Sequence, residues 1–293
     1  MFSLPFFLTP KISAQSPVSI PSGFEWQGHR GCRGLMPENT IPAFKKALEF
    51  PRLTTLELDL AVSKDGYLVV SHEPWFNPAI CLKPDGDSIR SSEGEKLLLF
   101  QMNLSDIQSY DCGSAGNPRF PQQQRIKAYK PTLREVVEAV RAQNPRRSNS
   151  LRWNIEIKSR PEWDGVRHPP VEEFVRLVIA ELRALHMDKS TTLQSFDRRA
   201  LQAIHRQAPD MTVALLIENV RTFEWNLNEL GFEPDIYSPF YQFVSKKMVR
   251  KCRKKGIKLI TWTTNDVESM RGLIKMGVDG IITDYPNLIE EVE

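Results

Sequence analysis

Residues Thr55–His72 read TLELDLAVSKDGYLVVSH, and this stretch decides the fold. Thr55–Leu60 is a short apolar strand pattern, and Ser63–Gly66 (SKDG) is a turn. Tyr67–Ser71 (YLVVS) pairs back on the strand as a hairpin. Glu57 and Asp59 are two residues apart, so on a strand both side chains point to one face. Upstream lies a first strand, Phe24–Gly28, then a helix at Ile41–Phe50 with Thr40 as its N-cap and Pro42 in its first turn. Downstream, strand patterns recur at Trp153–Ile157, Thr191–Leu193, Thr212–Ile217, Asp235–Ser238, Lys258–Trp262 and Gly280–Thr283. Helical patterns run between them at Val171–Leu185, Arg198–Gln207, Thr222–Leu230, Val244–Lys255 and Val267–Lys275. Strands that alternate with helices imply parallel crossovers, and eight such units close a barrel. The expected class is α/β, a (β/α)8 TIM barrel.

One connection breaks the rhythm. Residues Glu73–Lys130 are rich in Pro, Gly, Ser and Gln and show no steady period before the helix Leu133–Arg141 resumes it. A loop of this length inside one domain is functional or an inserted piece, here expected to lie over the barrel mouth with little core of its own. The domain scheme is then a leader or linker over residues 1–23 and a barrel over 24–293, with the insertion at about 73–130.

Composition narrows the class. The chain has 293 residues, 41% hydrophobic and 26% charged, which excludes a disordered or fibrous protein. A net charge of +3 gives no support for nucleic-acid binding, and Arg250–Lys255 (RKCRKK) reads as a solvated helix face. No apolar run reaches the ~20 residues of a membrane span. Met1–Leu8 (MFSLPFFL) is apolar but lacks a basic lead, and Ile12-Ser13-Ala14 makes a poor cleavage site, so export and cytoplasmic residence are both compatible with it. Gln15–Gly23 (QSPVSIPSG) reads as a linker. Of the four cysteines none forms a CxxC, which argues against structural zinc. Cys32 has nothing beside it that marks an activated thiol. Cys81 and Cys112 both fall in the insertion, and a bridge between them would staple it in an oxidising compartment.

Active sites of such barrels sit at the C-terminal ends of the strands. His29 and Arg30 end strand one, Glu57 and Asp59 lie near the end of strand two, and His72 ends the hairpin return. Glu156 and Lys158 end the strand at Trp153–Ile157, and Trp262 ends the strand at Lys258. Three converging carboxylates, Glu57, Asp59 and Glu156, would repel when buried, and a hard divalent cation, Mg²⁺ or Ca²⁺, relieves that cost. The alternative is a salt-bridge network with Arg30 and Lys158. Those two cations also suit an anionic phosphate. His29 and His72 are placed for general acid–base work, whereas His168, His186 and His205 read as packed side chains. Trp262 is expected to line the substrate.

The chain resembles glycerophosphodiester phosphodiesterases. The matching stretches are His29-Arg30-Gly31, Pro37-Glu38-Asn39-Thr40, Glu57-Leu58-Asp59 with Lys64-Asp65-Gly66, and Val69-Val70-Ser71-His72. Further matches are Glu156-Ile157-Lys158, Gln194-Ser195-Phe196-Asp197, Trp262-Thr263-Thr264-Asn265 and Gly277–Pro286 (GVDGIITDYP). They run in family order over about residues 24–290. The resemblance implies a metal held by Glu57, Asp59 and Glu156, with His29 and His72 as acid and base. It also implies hydrolysis of a small glycerophosphodiester to glycerol 3-phosphate and an alcohol. Glu73 stands where the family usually has Asp, and Cys32-Arg33-Gly34 is a less usual continuation of the first motif. Related readings are a lysophospholipase D-like activity, a Schiff-base lyase using Lys158, and a non-catalytic phosphate-binding barrel. The leaving alcohol and the oligomeric state stay open.

Overall fold

Alternate residues of every barrel strand must satisfy two different environments, and the sequence meets both. The computed structural model describes residues 18–292, so the reading of Met1–Leu8 and of Ile12-Ser13-Ala14 lies outside the described residues. In chain order the strands are β1 (Glu25–Gly28), β2 (Thr55–Val62), β3 (Leu68–Val70), β4 (Arg152–Ile157) and β5 (Thr191–Ser195). They continue with β6 (Thr212–Ile217), β7 (Ile236–Pro239), β8 (Lys258–Thr261) and β9 (Gly280–Thr283). All pair in parallel except β3, which pairs antiparallel with β2. Because β1 pairs with both β2 and β9, the sheet closes on itself, and the eight parallel strands form the expected barrel.

Outward-facing Leu56, Leu58, Ile155, Leu193, Leu215 and Ile281 are buried beneath the surrounding helices in one large core. Inward-facing residues divide in character. Ala214, Ile236, Ile260 and Ile282 make a small apolar cluster with Trp262 against it. On the opposite wall Glu25, Gln27, Asn154, Gln194 and Glu57 are polar and buried. Such groups are tolerable only when hydrogen-bonded, and here they form a continuous chain. Lys258 donates to Glu25 (2.7 Å) and Gln27 Nε2 to Glu25 (3.4 Å). Asn154 Nδ2 donates to Gln27 Oε1 (2.8 Å) and to Gln194 Oε1 (3.0 Å), and Gln194 Nε2 donates to Glu57 Oε1 (3.0 Å).

Helix starts carry the expected capping chemistry. Thr40 accepts from the Ala43 N–H, Thr132 forms a capping box with Glu135, and Ser245 and Asp266 cap the last two long helices. Several boundaries differ from the sequence reading. The helix at Ile41 ends at Ala47 rather than Phe50. Strand β2 runs on to Val62 because β3 supplies partners for Leu60, Ala61 and Val62, so Glu57 and Asp59 lie in mid-strand. Val18 and Ile20 already pack on the main core, ahead of Phe24.

The segment between β3 and the helix Leu133–Gln143 is better built than its composition suggests. It holds short helices at Ser91–Gly94 and Leu104–Ile107 and a core of its own. Phe76, Ile80, Cys81, Ile89, Leu99, Ile107 and Cys112 pack there with Ala61 and Val69 of the hairpin. The expectation of little core fails because the apolar residues follow neither helical nor strand period; tertiary packing alone gathers them. Cys81 and Cys112 are disulfide-bonded.

Candidate active site

The turn after β1 sets the site's geometry. Arg30 (φ 51°) and Gly31 (φ 85°) both lie in the left-handed region, which is natural for glycine and costs a side-chain-bearing residue about 1–2 kcal/mol. Any side chain at Gly31 would meet the backbone of Ala43 at 2.8 Å. The turn aims the Arg30 backbone N–H at Glu57 Oε2 (2.8 Å). It leaves the His29 ring beside the same carboxylate, with Nε2 3.9 Å from Oε2.

Strands β2 and β4 run in register with Asp59 opposite Glu156, so the strand pairing itself brings the acids together. Carboxylate oxygens of Glu57, Asp59 and Glu156 lie within 4.8 Å of one another, and all three side chains are buried. Lys158 Nζ is 2.8 Å from Glu156 Oε1 and 3.2 Å from Asp59 Oδ1. Arg30 Nε is 3.2 Å from Asp59 Oδ2, and its Nη1 donates to Glu38 Oε1 at 2.6 Å. The ion pairs of the network alternative are therefore present. They do not neutralise the cluster, however. Around the cavity Glu38, Glu57, Asp59, Glu73, Glu156, Glu218 and Asp284 outnumber Arg30, Arg33, Arg119, Lys130 and Lys158.

The proton affinities carry that imbalance. Burial and the charge of Asp59 push Glu57 well above the usual carboxylate range. Burial pushes Glu156 up to about 7 against the opposing pull of Lys158. Asp59 is held well below its usual value, because Lys158 and Arg30 outweigh its burial. Lys158 in turn stays protonated, since Asp59 and Glu156 raise it despite burial. A protonated amine is not a nucleophile, so a Schiff base at Lys158 is disfavoured. Asp59 Oδ1 is buried, with the Lys158 ammonium 3.2 Å away but in no directed hydrogen bond. Three oxygen donors, excess negative charge and a buried carboxylate oxygen without a directed hydrogen bond fit a hard divalent cation.

Each histidine has a carboxylate behind it. His29 Nδ1 lies 2.6 Å from Asp284 Oδ1, and His72 Nδ1 lies 3.0 Å from Glu73 Oε1. His29 and Arg33 hold Asp284 far below the usual carboxylate range despite burial, and His72 holds Glu73 down to about 2. Burial, with Arg33 nearby, pulls His29 down to about 4, and burial with Lys158 lowers His72. Arg33 adds a paired donation to Asp284 at 2.8 and 3.0 Å.

A cavity of about 560 Å³ at the C-terminal end of the barrel collects His29, Arg30, Glu57, His72, Glu156, Lys158 and Trp262. Asp59 lies directly beneath it, tied to Arg30, Lys158 and Asn39. Trp262 donates its indole N–H to Ser238 O (2.9 Å) and meets the rings of Phe196 and Phe240 at 5.4 and 5.5 Å. The other residues read as structural stay out of it. Buried His168 bonds within its own loop, His205 stacks on Phe232, and His186 ends a helix at positive φ. Cys32 is buried and pushed up to about 12 by desolvation, so it is no nucleophile.

Several partners carried no role in the sequence reading. Asp284, Glu38, Asn39, Glu73 and Gln194 bond directly to the candidate residues, and Arg33 reaches His29 through Asp284. Four of them fall inside motif stretches quoted above, which was the available signal.

The comparisons with known proteins bear on family and fold. The family model for the glycerophosphoryl diester phosphodiesterase family matches residues 29–288. The chain belongs to that family. A glycerophosphodiester phosphodiesterase from Caldanaerobacter subterraneus subsp. tengcongensis is 32% identical over 261 residues, spanning 89% of this chain and 94% of that protein. A solved chain from Silicibacter pomeroyi DSS-3 superposes with a TM-score of 0.82 at 27% identity, covering 94% of each chain. An Oleispira antarctica phosphodiesterase, solved with its product sn-glycerol-3-phosphate, matches at a TM-score of 0.71 and 21% identity, over 93% of this chain and 96% of that one. At that identity the likeness speaks for the fold. Among the described residues no helix is long and apolar enough to cross a membrane.

Proposed function

We propose that this family member is a metal-dependent hydrolase of glycerophosphodiesters, releasing glycerol 3-phosphate and an alcohol. One observation carries the reading. Three buried carboxylates, two cations and two carboxylate-backed histidines converge on a single cavity. Glu57, Asp59 and Glu156 would hold Mg²⁺ or Ca²⁺, both of which take oxygen ligands. When bound, the ion supplies Lewis-acid polarisation of a phosphoryl oxygen.

The chain's own groups do the rest. Arg30 and Lys158 hold non-bridging phosphate oxygens, so charge that builds up in the transition state meets fixed cations. Ionised Asp284 and Glu73 can only accept, so Nδ1–H of each imidazole points at its carboxylate. Each Nε2 is thereby free to face the cavity. One imidazole takes the proton of the attacking hydroxyl, from water or the glycerol 2-hydroxyl, as that oxygen bonds to phosphorus. The bond from phosphorus to the alcohol oxygen breaks, and the other imidazole, protonated, gives its proton to the departing oxygen. Water attack yields glycerol 3-phosphate directly; the 2-hydroxyl route passes through a cyclic phosphate that water then opens. Trp262, braced by Phe196 and Phe240, packs on the carbon skeleton of the substrate.

The test is release of glycerol 3-phosphate from a glycerophosphodiester by the full chain with Mg²⁺ or Ca²⁺. Alanine at His29 or His72 should cost roughly 10²–10⁴-fold in turnover. The variant lacking the general acid should recover on a nitrophenyl phosphodiester, whose leaving group needs no proton. Small, equal losses on both substrates would overturn the acid–base assignment.

A further inference from the structure

A second groove, of about 1000 Å³, joins the first cavity. The two share His72, Glu156, Lys158, Phe196 and Glu218, so a phosphate held by Lys158 at their junction would send one ester substituent into each. The insertion forms one side of the groove with Trp75 and Glu95; the loop after β4 forms the other with Arg160, Glu162, Trp163 and Arg167. Contacts cross between the two sides. Trp75 and Trp163 meet edge to face at 6.0 Å, and Arg167 lies 4.6 Å from the Trp75 ring centre and 5.3 Å from that of Trp163. Arg167 also bonds Glu95 (3.2 Å), while Arg160 lies 4.7 Å from the Trp163 ring and 3.9 Å from Glu162.

This arrangement bears on the chemistry of what the groove takes. A quaternary ammonium binds over aromatic faces. Here the protein's own guanidiniums, Arg160 and Arg167, hold those positions, and an incoming cation would have to displace them from the rings and from their carboxylate partners. An acyl chain would have to desolvate charged side chains on both walls. Guanidinium–carboxylate pairs next to tryptophan rings instead offer donors, acceptors and an apolar platform together. Vicinal hydroxyls on a carbon ring match all of these.

We propose that this groove is the leaving-alcohol subsite, and that Trp163 and Arg167 select an uncharged ring polyol, a cyclitol or sugar, over a quaternary ammonium alcohol. The proposal rests on the phosphodiesterase reading above.

The experiment measures glycerol 3-phosphate release by the metal-loaded full chain from glycerophosphoinositol and glycerophosphocholine. The wild type should favour the inositol ester in kcat/KM by at least about tenfold. Arg167→Met and Trp163→Ala should each shrink that ratio by about tenfold, chiefly through KM for the inositol ester. The ratio is read within one preparation, so partial unfolding of a variant cancels. Preference for the choline ester, or an unchanged ratio in both variants, overturns the subsite and leaves the hydrolase reading standing. No glycerol 3-phosphate from either ester, with a melting curve showing folded, metal-loaded protein, overturns the hydrolase reading and the subsite with it.

Discussion

His29 Nδ1 and Asp284 Oδ1 lie 2.6 Å apart although 255 residues separate them in the chain. The contact forms at the seam of the barrel, where β1 pairs with β9 and the His29 N–H donates to Thr283 O. Barrel closure is thus also what orients this imidazole. Asp284 is fixed in turn by Arg33 and by Asn265 Nδ2 at 2.7 Å, so the ring cannot turn without breaking a buried network.

Asp284→Asn should therefore lower turnover with little change in KM. The amide can donate where the carboxylate could only accept, which favours the wrong imidazole tautomer. A loss of roughly 10²–10⁴-fold in kcat is expected, by analogy with other His–Asp pairs. Buried Arg33 loses its ionic partner in the same variant, so the melting temperature should also fall. Steady-state kinetics beside a melting curve checks both. Turnover within a few-fold of wild type would mean that His29 needs no such orientation.

Metal removal should abolish activity, and Mg²⁺ or Ca²⁺ should restore it. The ion should also stabilise the fold, by about 2.7 kcal/mol at a hundredfold excess over its dissociation constant. Glu57→Gln should lose both the activity and the metal-dependent rise in melting temperature. Glu156→Gln behaves differently in metal-free protein. Its carboxyl is raised to about 7, so ionising it at pH 8 opposes folding, and the neutral amide removes that cost. Metal-free Glu156→Gln should melt no lower than wild type at pH 8, despite the lost pairing with Lys158. A markedly lower value would mean the pairing outweighs the burial.

The barrel was legible because eight strands and their helices each carry a local period. Glu57 with Asp59, and Glu156 with Lys158, were legible because spacing by two on a strand is a statement about direction. What the spacing could not supply is which side chains from distant loops complete the bonds. Asp284 meets His29 only because the sheet closes, and Gln194 meets Glu57 only because β5 and β2 both flank β4. The core of the insertion was illegible for a related reason. Phe76, Leu99 and Ile107 share no period and meet through a fold without regular repeats.

Metal affinity should depend on pH with a definite sign. Glu156 titrates near 7 in the metal-free protein, and Glu57 is also raised. Below about pH 7 the proton occupies a group the metal needs as a carboxylate, so binding must displace it. The apparent dissociation constant should weaken by up to about tenfold per pH unit for each of the two carboxyls that is protonated, and less steeply above about pH 7, where Glu156 is already ionised. Calorimetric titration in two buffers of different ionisation enthalpy should reveal proton release at pH 6 and less of it at pH 8. A dissociation constant independent of pH between 5.5 and 8 would contradict the raised carboxyls.

The last expectation concerns the bond between Cys81 and Cys112. It closes a segment with a sequence separation of 31, worth about 3–4 kcal/mol in the chain-entropy model. Both cysteines belong to the second core, which also holds Phe76, Ile80 and Ile107 and which rests on Ala61 and Val69. Opening the bond should loosen that core first, because the main core lies on the other side of the hairpin. Reduction, or the double change Cys81→Ser with Cys112→Ser, should speed proteolysis between residues 73 and 130. The barrel itself should still unfold as a cooperative unit. Trp75 sits in the loosened part and lines the groove beside His72. Turnover of a substrate with a bulky leaving alcohol should fall more than that of a small activated ester. Limited proteolysis followed by mass spectrometry, with kinetics on both substrates, reads each effect. Identical cleavage patterns with and without reductant would show that the insertion holds together through its apolar packing alone.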